Sequence, residues 1–156
     1  MLKIAEAYDL VIFDGAPHSS QTTRALALAS DLTVIPTGLA VDDLQPSVTL
    51  AHELVQAGVP RPQLAFALCR VGNSLSEIED ARAYLEQTGY PVLAGSLPEQ
   101  VAYRRASDEG RALTETRFST LNQRAEELAQ ALVDKIGERS QPSQKPKSSR
   151  TKRSVA

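Results

Sequence analysis

Asp14 is the first residue in the chain whose type and position could do chemistry. It follows the apolar run at residues 10–13 and precedes Gly15, which predicts a carboxylate at the carboxyl end of a buried strand. Ligands of open α/β sheets bind at that end, and a carboxylate there can position Mg²⁺, or its water shell, beside nucleotide phosphates. The alternative is that Asp14 only caps the following loop or helix.

A second group of candidates follows the last predicted strand. Residues 98–105 read PEQVAYRR, and a loop at the carboxyl end of a strand can line the pocket for a nucleotide base. Arg104 and Arg105 could instead contact a nucleic-acid backbone. The alternative interpretation of the two arginines is a solvated helix face.

The C-terminal residues form a third group, because their charge differs from that of the rest of the chain. Residues 1–134 have 10 basic and 18 acidic side chains, a net charge of −8, whereas residues 135–156 have seven basic and one acidic, a net charge of +6. This segment lacks aromatic residues and an apolar face, which favours diffuse, salt-sensitive attraction to DNA over base stacking or membrane binding. A merely solubilising segment is the alternative. The candidate DNA contacts are Lys145, Lys147, Arg150, Lys152 and Arg153.

Composition and sequence patterns exclude several classes of protein. A single cysteine, Cys69, excludes a disulfide scaffold and a cysteine-rich zinc site. No G-x-S-x-G motif supports hydrolase chemistry. No apolar run approaches the roughly 18 residues of a transmembrane helix, and the first residues lack the apolar core of a secretory signal. We therefore expect a cytoplasmic protein with no membrane partner.

The elements that must position these residues alternate along the chain. Short apolar runs predict four strands, the last of them weak, at residues 10–13, 31–36, 64–69 and 91–97. Capping residues and apolar spacing predict helices at residues 19–30, from Asp42 or Asp43 to Gly58, at 76–87 and at 98–107. The alternation predicts an α/β fold with a mostly parallel sheet flanked by helices.

A long helix is predicted at the C-terminal end of this domain. Its expected apolar stripe comprises Phe118, Leu121, Ala125, Leu128, Leu132, Val133 and Ile136. We expect the α/β domain to occupy residues 1–138. Residues 139–156, rich in Ser, Pro, Gln, Lys and Arg, are predicted to be a disordered basic tail.

Three stretches of the chain have a specific order and spacing. They read YDLVIFDGAPHSS, ASDLTVIPTGLAVDDLQPS and SLPEQVAYRRASDEGRALTE. Together they resemble the carboxyl two-thirds of a ParA-family partition ATPase, with the greatest similarity to small plasmid ParA proteins that lack an added N-terminal DNA-binding domain. The resemblance covers about residues 8–136, and it implies the ParA–MinD-like type of P-loop NTPase fold.

The resemblance also implies an activity and partners. Members of the family hydrolyse ATP weakly with Mg²⁺, form a homodimer with nucleotides at its interface, and bind DNA nonspecifically in the ATP form. A ParB-like centromere-binding protein stimulates hydrolysis. The expected function is therefore plasmid or chromosome segregation, or cargo positioning, in the nucleoid-associated cytoplasm. The alternatives are a non-catalytic DNA- or partner-binding module and a MinD-like positioning ATPase.

Individual residues acquire roles through the same resemblance. Asp14 matches the Walker B aspartate, a catalytic residue that holds Mg²⁺ through water. The switch that follows matches residues 15–18, and the loop at residues 36–43 matches one near the dimer interface. The implied nucleotide-binding residues are Asp14, Gly15, Arg70, Pro98, Glu99 and Val101. Arg104 and Arg105 lie where family members can contact DNA, and Cys69 stands where relatives often have an asparagine that contacts the base.

The main departure from the family is the missing P-loop. The sequence contains neither K-G-G-x-x-K-T nor any G-x-x-x-x-G-K-[ST], so it lacks the backbone amides and lysines that cradle phosphates. We therefore expect a truncated reading frame, a fragment or half of a split protein. Such a chain should be inactive alone as an ATPase, and should aggregate or dimerise through an exposed strand edge.

Overall fold

The computed structural model describes residues 7–15 and 20–140, and the side chains of the latter as far as residue 138. The helices are α1 (Gln21–Ala29), α2 (Val41–Gln56), α3 (Leu75–Gln87), α4 (Val101–Asp108) and α5 (Ser119–Ser140). The strands are β1 (Thr33–Thr37), β2 (Leu64–Val71) and β3 (Leu97–Pro98). Short 3₁₀ helices occur at Arg61–Gln63 and Leu113–Glu115.

The described strands form one parallel sheet in the order β1, β2, β3, which confirms the predicted α/β fold. The register pairs Thr33 with Leu64 in the first ladder and Val71 with Pro98 in the second. The helices α2 and α3 connect successive parallel strands, as crossovers of this kind require. β2 is therefore the central strand, and β1 is an edge of the described sheet.

The two faces of this sheet are buried by different helices. The first face packs against α1, α2 and α3, and its cluster includes Ala27, Ile35, Leu44, Leu54, Leu64, Phe66, Leu68, Ala81 and Leu85. The second face packs against α5 through Ala65, Ala67, Leu93 and Leu128. Because side chains alternate along a strand, β2 supplies both faces, which explains its continuous apolar run.

Helix beginnings are set by local hydrogen bonds that differ in part from the predicted ones. Ser20 caps α1 as expected, with its Oγ accepting from Thr23 N at 3.1 Å. Ser74 caps α3, which begins at Leu75, one residue before the predicted start. Neither Asp42 nor Asp43 caps α2, because Ala40 precedes the helix and both acids lie within its first turn. There they still favour the helix through its dipole.

The predicted strand at residues 10–13 is wrong. Residues 7–15 form neither helix nor strand, and Ile12 is 81% exposed. Leu10, Val11 and Phe13 are exposed as well. An apolar run becomes a strand only where a neighbouring strand pairs with its backbone, and the described β1 edge does not pair with this one.

Two other predictions need a smaller correction. The weak last strand shrinks to β3 and one isolated bridge between Phe66 and Val92. In the predicted stripe, Ala125 and Leu128 are buried, but Val133 and Phe118, which precedes α5, are 60% and 58% exposed. The predicted apolar stripe is wider than the area that one sheet face can cover, so the residues at the margins of the stripe remain in solvent.

Some predictions lie outside the described residues. These are the switch at residues 16–18 and the basic contacts Lys145, Lys147, Arg150, Lys152 and Arg153. The predicted domain boundary falls within α5, which continues to Ser140. Among the described helices, none is long and apolar enough to cross a bilayer.

Candidate functional site

The candidate site is the carboxyl edge of the sheet, where β1, β2 and β3 end. Parallel strands bring their carboxyl ends to one edge, and ligands of such sheets bind there. The backbone joins two of these ends, because Glu99 N donates to Val71 O at 3.0 Å. The candidates Arg70, Pro98 and Glu99 therefore lie on two adjacent strand ends.

Arg70 has the most unusual backbone of this edge. Its φ is +56°, the only positive value of a residue other than glycine in the described chain. The ladder between β2 and β3 is irregular there, between Cys69 and Val71. A non-glycine residue in this region costs about 1 kcal/mol or more, and such residues cluster at functional sites. The bulge turns an exposed guanidinium out of the central strand.

Asp43, in the first turn of α2, holds the Arg70 side chain. Arg70 Nη2 and Asp43 Oδ1 are 3.7 Å apart, and the two side chains are 70% and 44% exposed. An exposed pair at this distance contributes at most about 1 kcal/mol, so it orients Arg70 more than it stabilises the fold. Gly38 makes room for it, because a Cβ at that position would collide with the Asp43 carboxylate.

The β3 end of the site is positioned by two arginines from neighbouring helices. Arg82 of α3 donates to Leu93 O at 2.9 Å and to Gly95 O at 3.0 Å. Arg124 of α5 donates to Ser96 Oγ at 2.8 Å. Together they fix the short segment that precedes Pro98. Only the structure shows this role, since nothing in the sequence pairs a helical arginine with a particular carbonyl.

The other predicted contacts at this end differ in exposure. Pro98 is buried, whereas Glu99 and Val101 are exposed. Arg104 forms an ion pair with Glu99, and both side chains are largely exposed. Arg105 is exposed but precedes two acidic residues, Asp108 and Glu109, at the end of α4. The described part of α4 is thus close to neutral and lacks the dense positive charge typical of a DNA-binding surface.

Asp14 and Gly15 do not join this group in the described residues. Both lie in the exposed segment at residues 7–15, and no hydrogen bond or ion pair found among the described residues links Asp14 to the sheet edge. Within the same residues, no cluster of three or more His, Cys, Asp or Glu side chains could hold a metal ion. The described residues therefore do not fit a complete Mg²⁺–ATP site.

Cys69 is half-buried beside Arg70 at the end of β2. Burial raises the pKa of its thiol, and the positive charge of Arg70 lowers it in part. The neutral thiol thus predominates at neutral pH, and Cys69 behaves as a small apolar residue on the second face rather than as a nucleophile.

No protein-family model matches the chain, and no curated protein matches it either. The resemblance to ParA proteins therefore rests on the residues quoted from the sequence.

Proposed function

We propose that the chain is a ParA-like partition protein, which acts in DNA segregation or cargo positioning with nucleotide at the carboxyl edge of its sheet. The observation that carries the proposal is Arg70, a residue in a costly backbone conformation at the carboxyl end of the central strand. Strain at that place is hard to explain by packing, because the side chain is exposed. It is expected where a ligand must be contacted.

The order of features around the edge supports the same proposal. The stretches that resemble ParA proteins include the end of β1, the start of α2, the end of β3 and α4. In the proposed role, Arg70, Glu99 and Val101 contact the base and sugar side of an adenine nucleotide. The second stretch also supplies the proposed homodimer contact, through the loop at residues 36–43.

Phosphate binding is the part of this function that the chain's own residues do not supply. ATP with Mg²⁺ would provide the hydrolysable phosphate, but no P-loop motif occurs in the sequence. The chain alone thus lacks the groups for a hydrolytic step, and the roles of Asp14 as an Mg²⁺ residue and of a ParB-like activator are part of the proposed function. Alone, the chain should bind nucleotide weakly, with a Kd near 1 mM, or about −4 kcal/mol.

An NMR titration of the ¹⁵N-labelled full chain with MgATP tests this. We expect shifts confined to the amides of residues 37–43, 70–73 and 98–104. Arg70→Ala should weaken the binding roughly fivefold, since an exposed charged contact contributes up to about 1 kcal/mol. Arg61→Ala is the matched control, because Arg61 precedes β2 at the opposite edge of the sheet.

Three results would contradict the proposal in different ways. Shifts absent up to about 10 mM MgATP, which corresponds to binding weaker than about −3 kcal/mol, would remove the nucleotide from this edge. Micromolar binding would instead show that the chain has a phosphate cradle the sequence does not reveal. If Arg70→Ala and Arg61→Ala lose equal affinity for MgATP, the effect comes from the overall charge of the chain and not from a contact of Arg70.

A second candidate function is a non-catalytic DNA-binding module. The observation favouring it is the net charge of +6 at residues 135–156, combined with the missing P-loop. In this case Arg104 contributes little, because Glu99 already neutralises it. Binding to random-sequence duplex DNA should then depend on Lys145, Lys147, Arg150, Lys152 and Arg153.

A salt series measured by fluorescence anisotropy tests this second function. The full chain should show log Kd rising with log salt at a slope of about 4.5, if five cations each release a counterion with a coefficient of about 0.9. Replacing the five cations with Gln should abolish the slope, whereas Arg104→Gln with Arg105→Gln should change it little. Binding that does not depend on salt would exclude the module.

A further inference from the structure

A groove of about 620 Å³ lies between α2 and α3 on the outer side of the first face. Its floor is mostly apolar and includes Leu39, Leu44 and Ala81. Tyr84 lines one side and is 39% exposed. The groove is therefore an apolar depression with one accessible aromatic ring.

Acidic side chains border this apolar floor. Glu77 and Asp80 both line the groove and are exposed. Neither belongs to an ion pair among the described residues. The groove thus combines unpaired negative charge with apolar surface, and no described cation compensates it.

Further apolar surface lies next to the groove. Val41 lines it and is 61% exposed. Lysine and arginine fit such a surface well, because their aliphatic stems cover apolar groups while the charged ends reach acids at the margin. A guanidinium or ammonium group can also lie over the ring of Tyr84.

The chain itself contains a segment with this chemistry. Residues 141–156 have five cations and no acidic side chain, in contrast to the net charge of −8 at residues 1–134. They follow directly after α5, which ends at Ser140. Sixteen residues can extend about 55 Å, whereas a domain of this size has a radius of gyration near 14 Å, so the segment can reach the groove.

We propose that residues 141–156 dock in the groove between α2 and α3 of the same chain. Glu77 and Asp80 pair with the cations of the segment, and Tyr84 and Val41 cover the aliphatic stems. The inference does not depend on the proposed nucleotide function.

Limited trypsin digestion of the full chain tests this docking. Trypsin can cut the segment after Lys147, Arg150, Lys152 and Arg153, but not after Lys145, which precedes Pro146. Cleavage is followed by mass spectrometry at about 0.01 M ionic strength, where the Debye length is about 30 Å. Glu77→Gln with Asp80→Asn should accelerate cleavage roughly three- to tenfold, as expected for the loss of two exposed ion pairs.

The matched control is Glu126→Gln with Glu127→Gln. These two acids lie on the exposed side of α5, so their replacement removes the same charge from another surface. It should leave the cleavage rate within about a factor of two, the effect of a screened surface charge. Tyr84→Leu provides a second groove variant, and it should accelerate cleavage without any change in charge.

Each other outcome overturns the proposal. Equal cleavage rates in all variants would mean that the segment does not dock. Equal acceleration by the groove and α5 pairs would show only general attraction to an acidic domain. Protection that grows with protein concentration would assign the segment to the groove of a second copy. Circular dichroism of each variant must match the parent chain before rates are compared.

Discussion

The two faces of the sheet are built from residues of different size, although one strand supplies both. Alternate residues of β2 point to opposite faces. Towards the first face it presents Leu64, Phe66 and Leu68, and towards the second Ala65, Ala67 and Cys69. Three helices cover the large residues, whereas α5 alone covers the small ones.

This difference assigns distinct physical roles to the two faces. The first face gains its stability from large side chains that are almost fully buried, such as Phe66, Leu54 and Leu85. The second face gains its stability from close packing, because its small residues allow the backbone of α5 to approach the sheet. Gly95 marks this contact, because a Cβ there would lie 3.1 Å from Leu128 N. Side-chain volume thus matters most on the first face, and the space between α5 and the sheet matters most on the second.

The largest expected effect is the removal of volume from the first face. Phe66→Ala should lower the free energy of unfolding by about 3–5 kcal/mol, because it deletes a ring that is 1% exposed. Ala67→Gly, the neighbouring change on the second face, should cost only about 1 kcal/mol. Urea unfolding followed by circular dichroism measures both. Similar losses in the two variants would contradict the division between the faces.

Clearance on the second face is tested by adding a methyl group. Gly95 has a φ of +76° and lies against α5, so Gly95→Ala should destabilise the fold by about 1–3 kcal/mol. Gly137, in α5, has nothing within 4 Å of a Cβ, and Gly137→Ala should stabilise by up to about 1 kcal/mol. The two variants should therefore change the free energy of unfolding in opposite directions. A neutral Gly95→Ala would show that α5 can move away at no cost.

The sequence predicts much of this architecture because buried parallel strands leave a strong pattern. The run at residues 64–69 identifies β2, and Gly58 correctly marks the end of a helix with its positive φ. The same pattern fails at residues 10–13, since an apolar run cannot show whether a neighbouring strand is there to pair with it. Periodicity also could not show which face each helix would cover.

The candidate site was predictable only in part. The position of Arg70 follows from the end of β2, but its positive φ depends on the irregular ladder with β3, and no local residue type indicates that. Arg82 and Arg124 hold the β3 segment through contacts distant in sequence. Long-range hydrogen bonds of this kind depend on the packed fold, so a single sequence does not reveal them.

A pH titration compares one tyrosine from each side of the molecule. Tyr90 OH lies 2.8 Å from His52 Nδ1, and Tyr103 OH donates to Leu121 O at 2.6 Å. Burial raises the pKa of both phenols, and Arg61 beside Tyr90 and Arg124 beside Tyr103 lower it in part. A raised folded-state pKa stabilises the fold fully below the ordinary value of about 10, and that stability is lost as pH rises through the folded-state pKa.

Unfolding of the parent chain should therefore become easier above about pH 10. Tyr103→Phe should cost about 1 kcal/mol at pH 7 and should make the alkaline loss less steep. Tyr90→Phe should reduce the slope less, because His52 can donate to a phenolate through its other tautomer, whereas the Leu121 carbonyl cannot. Urea unfolding between pH 7 and 11 measures these slopes. A slope unchanged in Tyr103→Phe would contradict the assignment.

The smallest expected effect on stability comes from the segment that belongs to neither face. Leu10→Ser with Ile12→Ser removes two side chains that are 57% and 81% exposed, so the free energy of unfolding should change by less than about 0.5 kcal/mol. Self-association should fall, because exposed apolar runs favour contact between copies. Sedimentation velocity over a range of concentrations measures this, with Gln21→Ser and Thr22→Ser in α1 as an exposed polar control. A loss of stability comparable to that of Ala67→Gly would instead mean that residues 10–13 pack against the domain in solution, and that the sheet has a further covered edge.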